Sequence, residues 1–237
     1  MSQRQTVTAC LIVIGSEILS GRTKDANLPF LARRLNELGV RLMEARVIPD
    51  VADAIVRAVN ECRALYDYVF TTGGIGPTHD DITAEAVAEA FGVPLECNPE
   101  AVRRLEQHYA NTGIKLNRAR MRMARIPAGA TLIDNPVSMA PGFRIGNVLV
   151  MAGVPEIMRA MFEAAKHEVI GGPRTRSRTV SCFVPEGDLA QGLGELQGRY
   201  PDMEIGSYPY FRRGRFGVSV VLRSTDAEAL SGALEAL

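Results

Sequence analysis

The segment Thr71–Thr83 combines three glycines with two adjacent carboxylates. The β-rich run Tyr68–Phe70 before it predicts a buried strand, and the run Ala84–Phe91 after it predicts a helix. Glycines in such a connection permit positive φ and let a ligand approach the bare backbone N–H groups. The start of the following helix adds a partial positive charge. The segment therefore predicts a loop that binds an anion.

The carboxylates Asp80 and Asp81 lie inside this loop. They would repel a bare phosphate unless a cation lay between them and the phosphate oxygens. The loop therefore predicts a phosphate held through a metal, with Asp80 and Asp81 as the metal ligands. A second interpretation is that the two carboxylates only cap the following helix. The two roles can coexist.

Strand and helix patterns alternate through the first part of the chain. That order favours a mostly parallel sheet covered on both faces by helices, which is a three-layer α/β/α sandwich. The predicted strands are Val7–Ile14, Val40–Ile48 and Asp67–Thr72, and the predicted helices between them are Asn27–Leu38 and Val51–Leu65. In such sheets, ligands bind beyond the carboxyl ends of the strands.

Polar loops follow each of these three strands. Gly15–Glu17 follows the first, Pro49–Asp50 the second and Gly73–Asp81 the third. Because the carboxyl ends of parallel strands share one edge of the sheet, we expect these loops to converge on a single site. A plainer interpretation of Ser16 and Glu17 is that they begin a helix.

The pattern is less regular after residue 98. Pro99–Thr112 predicts a helix, and Leu116–Arg125 is a candidate for a second one. The turn-rich segment Asn135–Gly142 lies between the predicted short strands Thr131–Ile133 and Val148–Met151. We interpret it as a loop and as a candidate second wall of the site, although Asn135 and Ser138 also suit simple turns.

A composition shift at Gly171–Pro173 predicts a domain boundary, after a helix that begins near Pro155 and runs to about Ile170. We therefore expect two domains, 1–172 and 173–237. The second has the order β-α-β-β-α of a small α+β domain, which is marginal in size for independent stability. Its predicted strands are Thr179–Val184, Met203–Ser207 and Phe216–Leu222, and its predicted helices are Leu189–Arg199 and Asp226–Leu237.

Composition narrows the classes of partner. In 237 residues, Lys plus Arg and Asp plus Glu both total 27, which gives no indication of a nucleic-acid or membrane partner. The four cysteines are widely spaced without a Cys-x-x-Cys motif, which is typical of free thiols in a reducing compartment. No apolar run approaches the roughly 18 residues of a membrane span, and Met1–Gln5 is not expected to form a signal peptide. We expect a soluble cytoplasmic protein.

Four segments together resemble the N-terminal domain of competence/damage-inducible CinA proteins. They are Gly15–Leu19, Thr71–Thr83, Asn135–Gly142 and Gly153–Pro155. That domain belongs to the wider MoaB/Mog molybdopterin-binding family. The resemblance covers roughly residues 5 to 170, and the remainder resembles the small middle domain of CinA. The amidohydrolase domain of full-length CinA proteins has no counterpart in the sequence, so nicotinamide mononucleotide deamidation is not expected.

The resemblance implies chemistry at a pyrophosphate. In Mog-type proteins the similar loop binds molybdopterin, and related enzymes activate it by adenylylation. The CinA branch is credited with metal-dependent hydrolysis of nucleotide pyrophosphates such as ADP-ribose. A family domain attached to some eukaryotic FAD synthases is credited with FAD hydrolysis. The implied function is a nucleotide pyrophosphate hydrolase that uses Mg²⁺, Mn²⁺ or Co²⁺, with K⁺ as a further candidate. The alternative is a molybdopterin-binding protein without hydrolase activity. A homodimer or homotrimer is expected.

The resemblance also assigns residues. Asp81 and Asp50 are the implied catalytic carboxylates, and Asp80 and Asp81 the implied metal ligands. The implied contacts to a nucleotide or pterin are Gly15, Ser16, Glu17, Thr72, Gly73, Gly74, Gly76, Pro77, Thr78, Thr83, Asn135, Ser138, Pro141, Gly142 and Gly153. One departure affects ligand choice, because Ser138-Met139 stands where CinA proteins usually have Gly-Thr. His79 is expected to face solvent, and a solvated face is the commoner explanation for Arg118, Arg122 and Arg125.

Overall fold

The computed structural model describes residues 6–212 and 214–237. The segment Met1–Gln5, for which no signal peptide was expected, lies outside them. The chain divides into two compact units, one ending at Gly172 and the other starting at Pro173. Within the described ranges, no helix is both long and apolar enough to cross a membrane.

The first unit alternates strands and helices. Its strands are β1 (Val7–Ile14), β2 (Val40–Ile48), β3 (Tyr68–Thr72), β4 (Leu95–Cys97), β5 (Arg125–Pro127), β6 (Thr131–Ile133), β7 (Gly142–Ile145) and β8 (Val148–Met151). Its α-helices are α1 (Ser16–Leu19), α2 (Asn27–Glu37), α3 (Ala52–Leu65), α4 (Thr83–Phe91), α5 (Pro99–Thr112), α6 (Arg118–Met121) and α7 (Pro155–Ala165). Short 3₁₀ turns follow α6 at Arg122–Ala124 and α7 at Lys166–Glu168.

The central sheet has the order β2-β1-β3-β8-β7-β6. The strands from β2 to β8 in that order are parallel, whereas β7 and β6 are antiparallel additions at one side. A buried cluster on one face joins β1 to α3, α4 and α5, and a second cluster on the other face joins it to α2 and α7. The predicted three-layer sandwich with a mostly parallel sheet is therefore confirmed.

The helix predicted over Leu116–Arg125 is confirmed only in its middle part, where α6 and the 3₁₀ turn after it span Arg118–Ala124. α6 is a single turn that begins after Asn117, whose side chain accepts a hydrogen bond from the Arg120 N–H, and the chain is already extended at Arg125. Pro127 disfavours helical geometry at Ile126, the residue before it. β5 instead pairs with β4, and Ile126 is buried.

Other differences from the predicted elements are local. The helix predicted to reach about Ile170 ends at Ala165, and the Ile170 N–H donates to the Tyr68 hydroxyl at 2.9 Å. The strands β4 and β7 were not predicted, and the loop predicted at Gly15–Glu17 enters the single turn α1. The bounds predicted for Val7–Ile14 and Val40–Ile48 are confirmed.

The second unit is a small antiparallel sheet with two helices. Its elements are β9 (Arg176–Cys182), α8 (Glu186–Arg199), β10 (Glu204–Arg212), β11 (Arg215–Ser224) and α9 (Ala227–Glu235). The strand order is β10-β11-β9, and Leu196, Val220 and Leu230 lie in its buried core. The predicted order β-α-β-β-α is confirmed, as is the small α+β class.

Candidate functional site

The loops after the parallel strands lie at one edge of the sheet, as predicted. Ile14 at the end of β1 pairs with Ile48 of β2, and Thr72 at the end of β3 pairs with Met151 of β8. Backbone hydrogen bonds continue this order past the strands. The Gly15 N–H donates to Ile48 O at 3.1 Å, and the Gly73 N–H donates to Met151 O at 3.1 Å.

The first two glycines of the Gly-rich loop are required by packing. Gly73 and Gly74 have φ values of 108° and 67°. A Cβ on Gly73 would lie 2.1 Å from the carbonyl oxygen of Ile14, and one on Gly74 would lie 2.2 Å from Thr83 Oγ1. The sequence predicted that the Gly73 N–H would bind an anion. In the structure this N–H donates to Met151 O instead, so it is not available to an anion. Among the described residues, the N–H groups of Gly74 and Gly76 donate to no protein acceptor.

Thr83 holds this loop from inside. It is fully buried, its backbone N–H donates to Gly74 O at 2.9 Å, and its hydroxyl donates to Gly73 O at 3.0 Å. Both hydrogen bonds join the start of α4 to the glycines. The role of Thr83 is therefore to position the loop.

Asp81 closes the other half of the loop. Its Oδ2 accepts hydrogen bonds from the Thr78 N–H at 2.8 Å and from the Thr78 hydroxyl. A Cβ on Gly76 would lie 2.6 Å from the same oxygen, so the carboxylate depends on the missing side chain. The interpretation of Asp80 and Asp81 as helix caps is wrong. The N-cap of α4 is Ile82, and no side chain caps that helix.

Asp80 lies beside Asp81 but faces solvent. Its side chain is 64% exposed, and His79, itself 96% exposed, lies 3.9 Å away. The pKa of Asp80 is lowered, first by hydrogen bonding with the Thr78 side chain and then by its own backbone N–H, with smaller contributions from His79 and Arg122. The single hydroxyl proton of Thr78 is directed to Asp81, so the two carboxylates compete for it. Asp80 keeps its negative charge at neutral pH.

The positively charged guanidinium of Arg122 lies beside the Gly-rich loop. A surface depression is lined by Gly74, Gly76, Asp81, Glu85, Arg122 and Phe143. The Arg122 Nη2 donates to the backbone oxygen of Asp81 at 3.2 Å and lies 3.8 Å from Glu85. Its Nε is buried and has no hydrogen-bond partner in the described part of the chain. The sequence analysis favoured a solvated face for Arg122. Its spacing from Arg118 and Arg125, which puts the three arginines on one helical face, was the only indication of a contact with a phosphate.

The loops after β1 and β2 are tied together by Asp50. Its Oδ2 accepts a hydrogen bond from the Ser16 N–H at 2.8 Å. Ser16 and Glu17 are exposed, and they form the start of α1 as the plainer interpretation proposed. The structure thus gives Asp50 a positioning role at the site edge, and its catalytic role stays a prediction.

The segment from Asn135 to Pro141 is shaped by its own hydrogen bonds. The buried Asn135 side chain donates to Ser138 Oγ at 2.7 Å and to Ala140 O at 2.8 Å, and it accepts from the N–H groups of Val137 and Ser138. Met139, at the position where the sequence departs from the family pattern, has a φ of 60°. Its N–H donates to Asn135 O at 2.9 Å. Asn135 therefore fixes this wall from within.

Burial separates the predicted ligand contacts into two groups. The exposed or half-buried ones are Ser16, Glu17, Gly74, Gly76, Pro77, Thr78, Ser138 and Gly153. The buried ones are Gly15, Thr72, Gly73, Thr83, Asn135, Pro141 and Gly142. Among these, Pro141 still lines the depression, whereas a Cβ on Gly142 would lie 2.4 Å from Val150 O. The buried side chains shape the loops, and direct contact by the exposed group stays a prediction.

Asn27 supports the site but was not predicted. This buried side chain at the start of α2 donates from Nδ2 to Gly153 O at 2.8 Å, and a Cβ on Gly153 would lie 3.2 Å from the Cα of Gly73. Its Oδ1 is buried without a partner in the described ranges. The sequence marked Asn27 only as a helix start, and nothing local indicates its contact 126 residues away.

The fold and the loop define a class of protein, an α/β domain with a Gly-rich loop at the carboxyl edge of a mostly parallel sheet. Residues 10–171 match the family described as a probable molybdopterin binding domain, and residues 174–237 match the FAD synthase middle domain. The chain therefore belongs to the molybdopterin-binding domain family. The predicted membership in the MoaB/Mog family is confirmed.

Similar proteins agree with this assignment. A CinA-like protein from Salinibacter ruber is 34% identical over 239 residues, which cover 96% of this chain and 58% of that protein. A probable FAD synthase from Caenorhabditis elegans is 30% identical over 261 residues, which cover 100% of this chain and 50% of that protein. The crystal structure of a CinA protein of unknown function from Thermoplasma acidophilum superposes with a TM-score of 0.64 at 34% identity, covering 69% of this chain and 99% of the other. The resemblance to CinA is confirmed.

Proposed function

We propose that this protein is a divalent-metal-dependent hydrolase of nucleotide pyrophosphates such as ADP-ribose or FAD. The observation that carries the proposal is the Asp81 carboxylate, held over Gly76 by Thr78 and flanked by the Arg122 guanidinium in one surface depression. A carboxylate next to unpartnered backbone donors and a cation suits a phosphate ester and an attacking water.

The ligand class follows from the donors and from the relatives. The N–H groups of Gly74 and Gly76 and the Arg122 guanidinium can hold phosphoryl oxygens. The match of residues 174–237 to the FAD synthase middle domain favours a dinucleotide over an isolated phosphate. The name of the Caenorhabditis elegans relative supports the same class.

The carboxylates at this edge suit a hard cation such as Mg²⁺ or Mn²⁺. Both hydrogen bonds to the Asp81 carboxylate are made through Oδ2, and the Asp80 side chain is mostly exposed. Two carboxylates do not form a complete cage, and Mg²⁺ commonly takes its remaining ligands from water and substrate phosphates. When bound, such a cation neutralises phosphoryl charge and lowers the pKa of a water molecule.

The protein's own residues would supply orientation and proton transfer. Water adds to one phosphorus atom, the bridging P–O bond breaks, and the other phosphate leaves as a monophosphate. Asp81, whose carboxylate is held by Thr78, would orient the water and accept its proton. Arg122 stabilises charge on the phosphoryl oxygens, and Asp50 keeps the Ser16 loop at the edge.

The test is turnover by the purified full chain. ADP-ribose, FAD and NAD are each incubated with Mg²⁺, Mn²⁺ or Co²⁺, with and without K⁺, and the products are separated by chromatography. We expect monophosphate products from at least one pair, and Asp81→Asn to lower the rate by about 100-fold or more. The exposed Asp202→Asn is the matched control. The absence of turnover with every pair would overturn the hydrolase, and full activity of Asp81→Asn would overturn the role of Asp81.

The family match over residues 10–171 favours a second function, molybdopterin binding without hydrolysis. Molybdopterin has the same need for phosphate donors at the Gly-rich loop. The two functions are separated by titrating the protein with molybdopterin and measuring ligand fluorescence while following product formation from ADP-ribose and FAD. Saturable binding without turnover supports the molybdopterin-binding function.

We further propose that the chain forms a homodimer or homotrimer, which light scattering distinguishes from a monomer.

A further inference from the structure

Two buried cysteines and a glutamate meet away from the Gly-rich loop. Cys10 lies in β1, Glu44 lies opposite it in β2, and Cys62 lies in α3. Both cysteines are fully buried, and their Sγ atoms are 3.3 Å apart. One ligand atom from each of the three side chains lies within 4.8 Å of the other two. Three elements thus bring two sulfur donors and one oxygen donor together.

The sulfur separation suits a bridging metal. A tetrahedral cation with Zn–S bonds of about 2.3 Å places two thiolate sulfurs about 3.8 Å apart, about half an ångström more than the Cys10–Cys62 distance of 3.3 Å. A disulfide needs about 2.05 Å, so the same sulfurs would have to approach by more than an ångström. A metal therefore needs the smaller adjustment of the two, and without a metal the two thiols are within hydrogen-bonding distance.

The surroundings of Glu44 supply the outer contacts of a metal ligand. Arg46 Nε donates to one carboxylate oxygen at 2.6 Å, and the Tyr66 hydroxyl donates to the other at 2.7 Å. Ligating carboxylates in metal sites are commonly oriented by such hydrogen bonds. A divalent cation would offset the charge of two thiolates, and Arg46 pairs with both Glu44 and Glu61.

Burial adds a condition on how the site is loaded. Desolvation raises the pKa of both Cys10 and Cys62, so the two thiols are protonated without a metal. A bound cation displaces both protons, which makes affinity rise with pH. Glu44 is the partly exposed member of the cluster, with 33% of its side chain exposed to solvent.

We propose that Cys10, Cys62 and Glu44 bind a thiophilic divalent cation such as Zn²⁺. The cation joins β1, β2 and α3. Gly15 follows β1 and Asp50 follows β2, and both lie at the site edge. The role of the cation would therefore be to stabilise the framework of the site. The cluster is chemically separate from Asp80 and Asp81, which offer only oxygen donors.

The test uses the reduced, metal-free full chain. Cd²⁺ and Co²⁺ are titrated while sulfur-to-metal charge-transfer absorption is followed, a signal that oxygen ligands do not give. We expect one equivalent to bind, with the signal lost in Cys10→Ser and in Cys62→Ser. The matched control is the double variant Cys97→Ser/Cys182→Ser, which should keep the full signal. Tyr66→Phe should raise the dissociation constant about 10-fold.

The same signal should persist in Asp81→Asn, which separates this site from the proposed hydrolase. The absence of thiolate absorption in the wild type, or an undiminished signal in Cys62→Ser, would overturn the proposal. X-ray absorption of the Zn²⁺-loaded wild type keeps the test valid if the serine variants do not fold. Two sulfur scatterers support the site, and a shell of only nitrogen and oxygen overturns it.

Discussion

The Asp81 carboxylate lies against Gly76, where a Cβ would stand 2.6 Å from Oδ2 and 3.0 Å from Oδ1. Gly76 does not have a positive φ, so conformational freedom is not the reason for glycine at this position. The space itself is what the carboxylate needs. Thr78 then fixes the carboxylate by donating to it twice.

Replacing Gly76 by alanine should therefore affect the site more than the fold. In Gly76→Ala the methyl group pushes the Asp81 carboxylate out of its position, and we expect turnover to fall about 10-fold or more, on the scale of a displaced catalytic group. The measurement is steady-state turnover of the best substrate together with the denaturation midpoint. Gly192→Ala in α8, where a Cβ meets nothing within 4 Å, is the control. Equal activity in both variants would contradict the role given to Gly76.

Much of the fold was predictable because its strongest patterns are local. β1 is rich in β-branched residues and is followed by Gly15, β2 lies between Gly39 and Pro49, and the predicted bounds of both strands are confirmed. β7 was missed because its four residues, Gly142–Ile145, carry no such pattern and are extended through pairing with β8. The segment Leu116–Arg125 is helical from Arg118 to Ala124, and pairing between β4 and β5 makes the backbone extended from Arg125 onward.

The site was predictable to the extent that topology fixes it. Parallel strands carry their following loops to one edge, so the proximity of Gly15, Asp50 and Gly73 followed from strand order alone. The sequence did not distinguish glycines that serve packing from those that serve a ligand. Gly73 is required by Ile14, 59 positions away in the chain, and such a contact leaves no local pattern. Arg122 and Asn27 were missed for the same reason.

Asp50 offers a test that separates tethering from charge. Asp50→Asn keeps an acceptor for the Ser16 N–H but removes the charge, whereas Asp50→Ala removes both. If tethering is the main role, Asp50→Asn should keep most of the turnover and Asp50→Ala should lose more. Initial rates at saturating metal measure this difference. Equal losses in the two variants would instead indicate that the carboxylate charge is required, as the predicted catalytic role demands.

Asn135 should contribute to stability out of proportion to its size. In Asn135→Ala the N–H groups of Val137 and Ser138 and the carbonyl of Ala140 lose their partner. We expect a loss of about 2 kcal/mol in the free energy of unfolding, measured by urea denaturation. Ser138→Ala, which removes only the hydrogen bond from Asn135 Nδ2 to Ser138 Oγ, is the comparison and should cost less. An unchanged midpoint for Asn135→Ala would show that water replaces the side chain.

The buried Cys10 and Cys62, together with Tyr66 beside Glu44, should make the free energy of unfolding decrease at high pH. Burial raises the pKa of Cys10 and Cys62, and the hydrogen bond to Glu44, with burial, raises the pKa of Tyr66 from 10.0 to about 12. A group whose pKa is raised by folding stays protonated in the native state at pH values where the unfolded chain loses the proton. Its stabilising contribution is complete below the ordinary pKa and is lost as pH rises through the native one.

For Tyr66 the stability loss should therefore fall between about pH 10 and pH 12. The free energy of unfolding, measured in urea at a series of pH values in metal-free buffer, should decrease across this range. Tyr66→Phe should show a shallower decrease over the same range, and Cys62→Ser a shallower one at the pH where thiols ordinarily ionise. Tyr208→Phe, at an exposed position in the second unit, is the control. Parallel curves for wild type and Tyr66→Phe would contradict the assignment.

Arg122 should act on ligand binding, because its partly exposed side chain lines the depression beside Gly74 and Gly76. Arg122→Gln removes the charge-assisted hydrogen bonds, which are worth about 1.5–3 kcal/mol each, so affinity for a nucleotide pyrophosphate should fall by roughly 10-fold to 100-fold. Calorimetric titration with a non-hydrolysable dinucleotide measures the change, and the salt dependence of the affinity should weaken in the variant.

Arg122→Lys should recover only part of the affinity because an ammonium cannot reproduce the planar fork of the guanidinium. The exposed Arg118→Gln should bind as the wild type does, and an equal loss there would mean that Arg122 acts only through the overall charge of the surface.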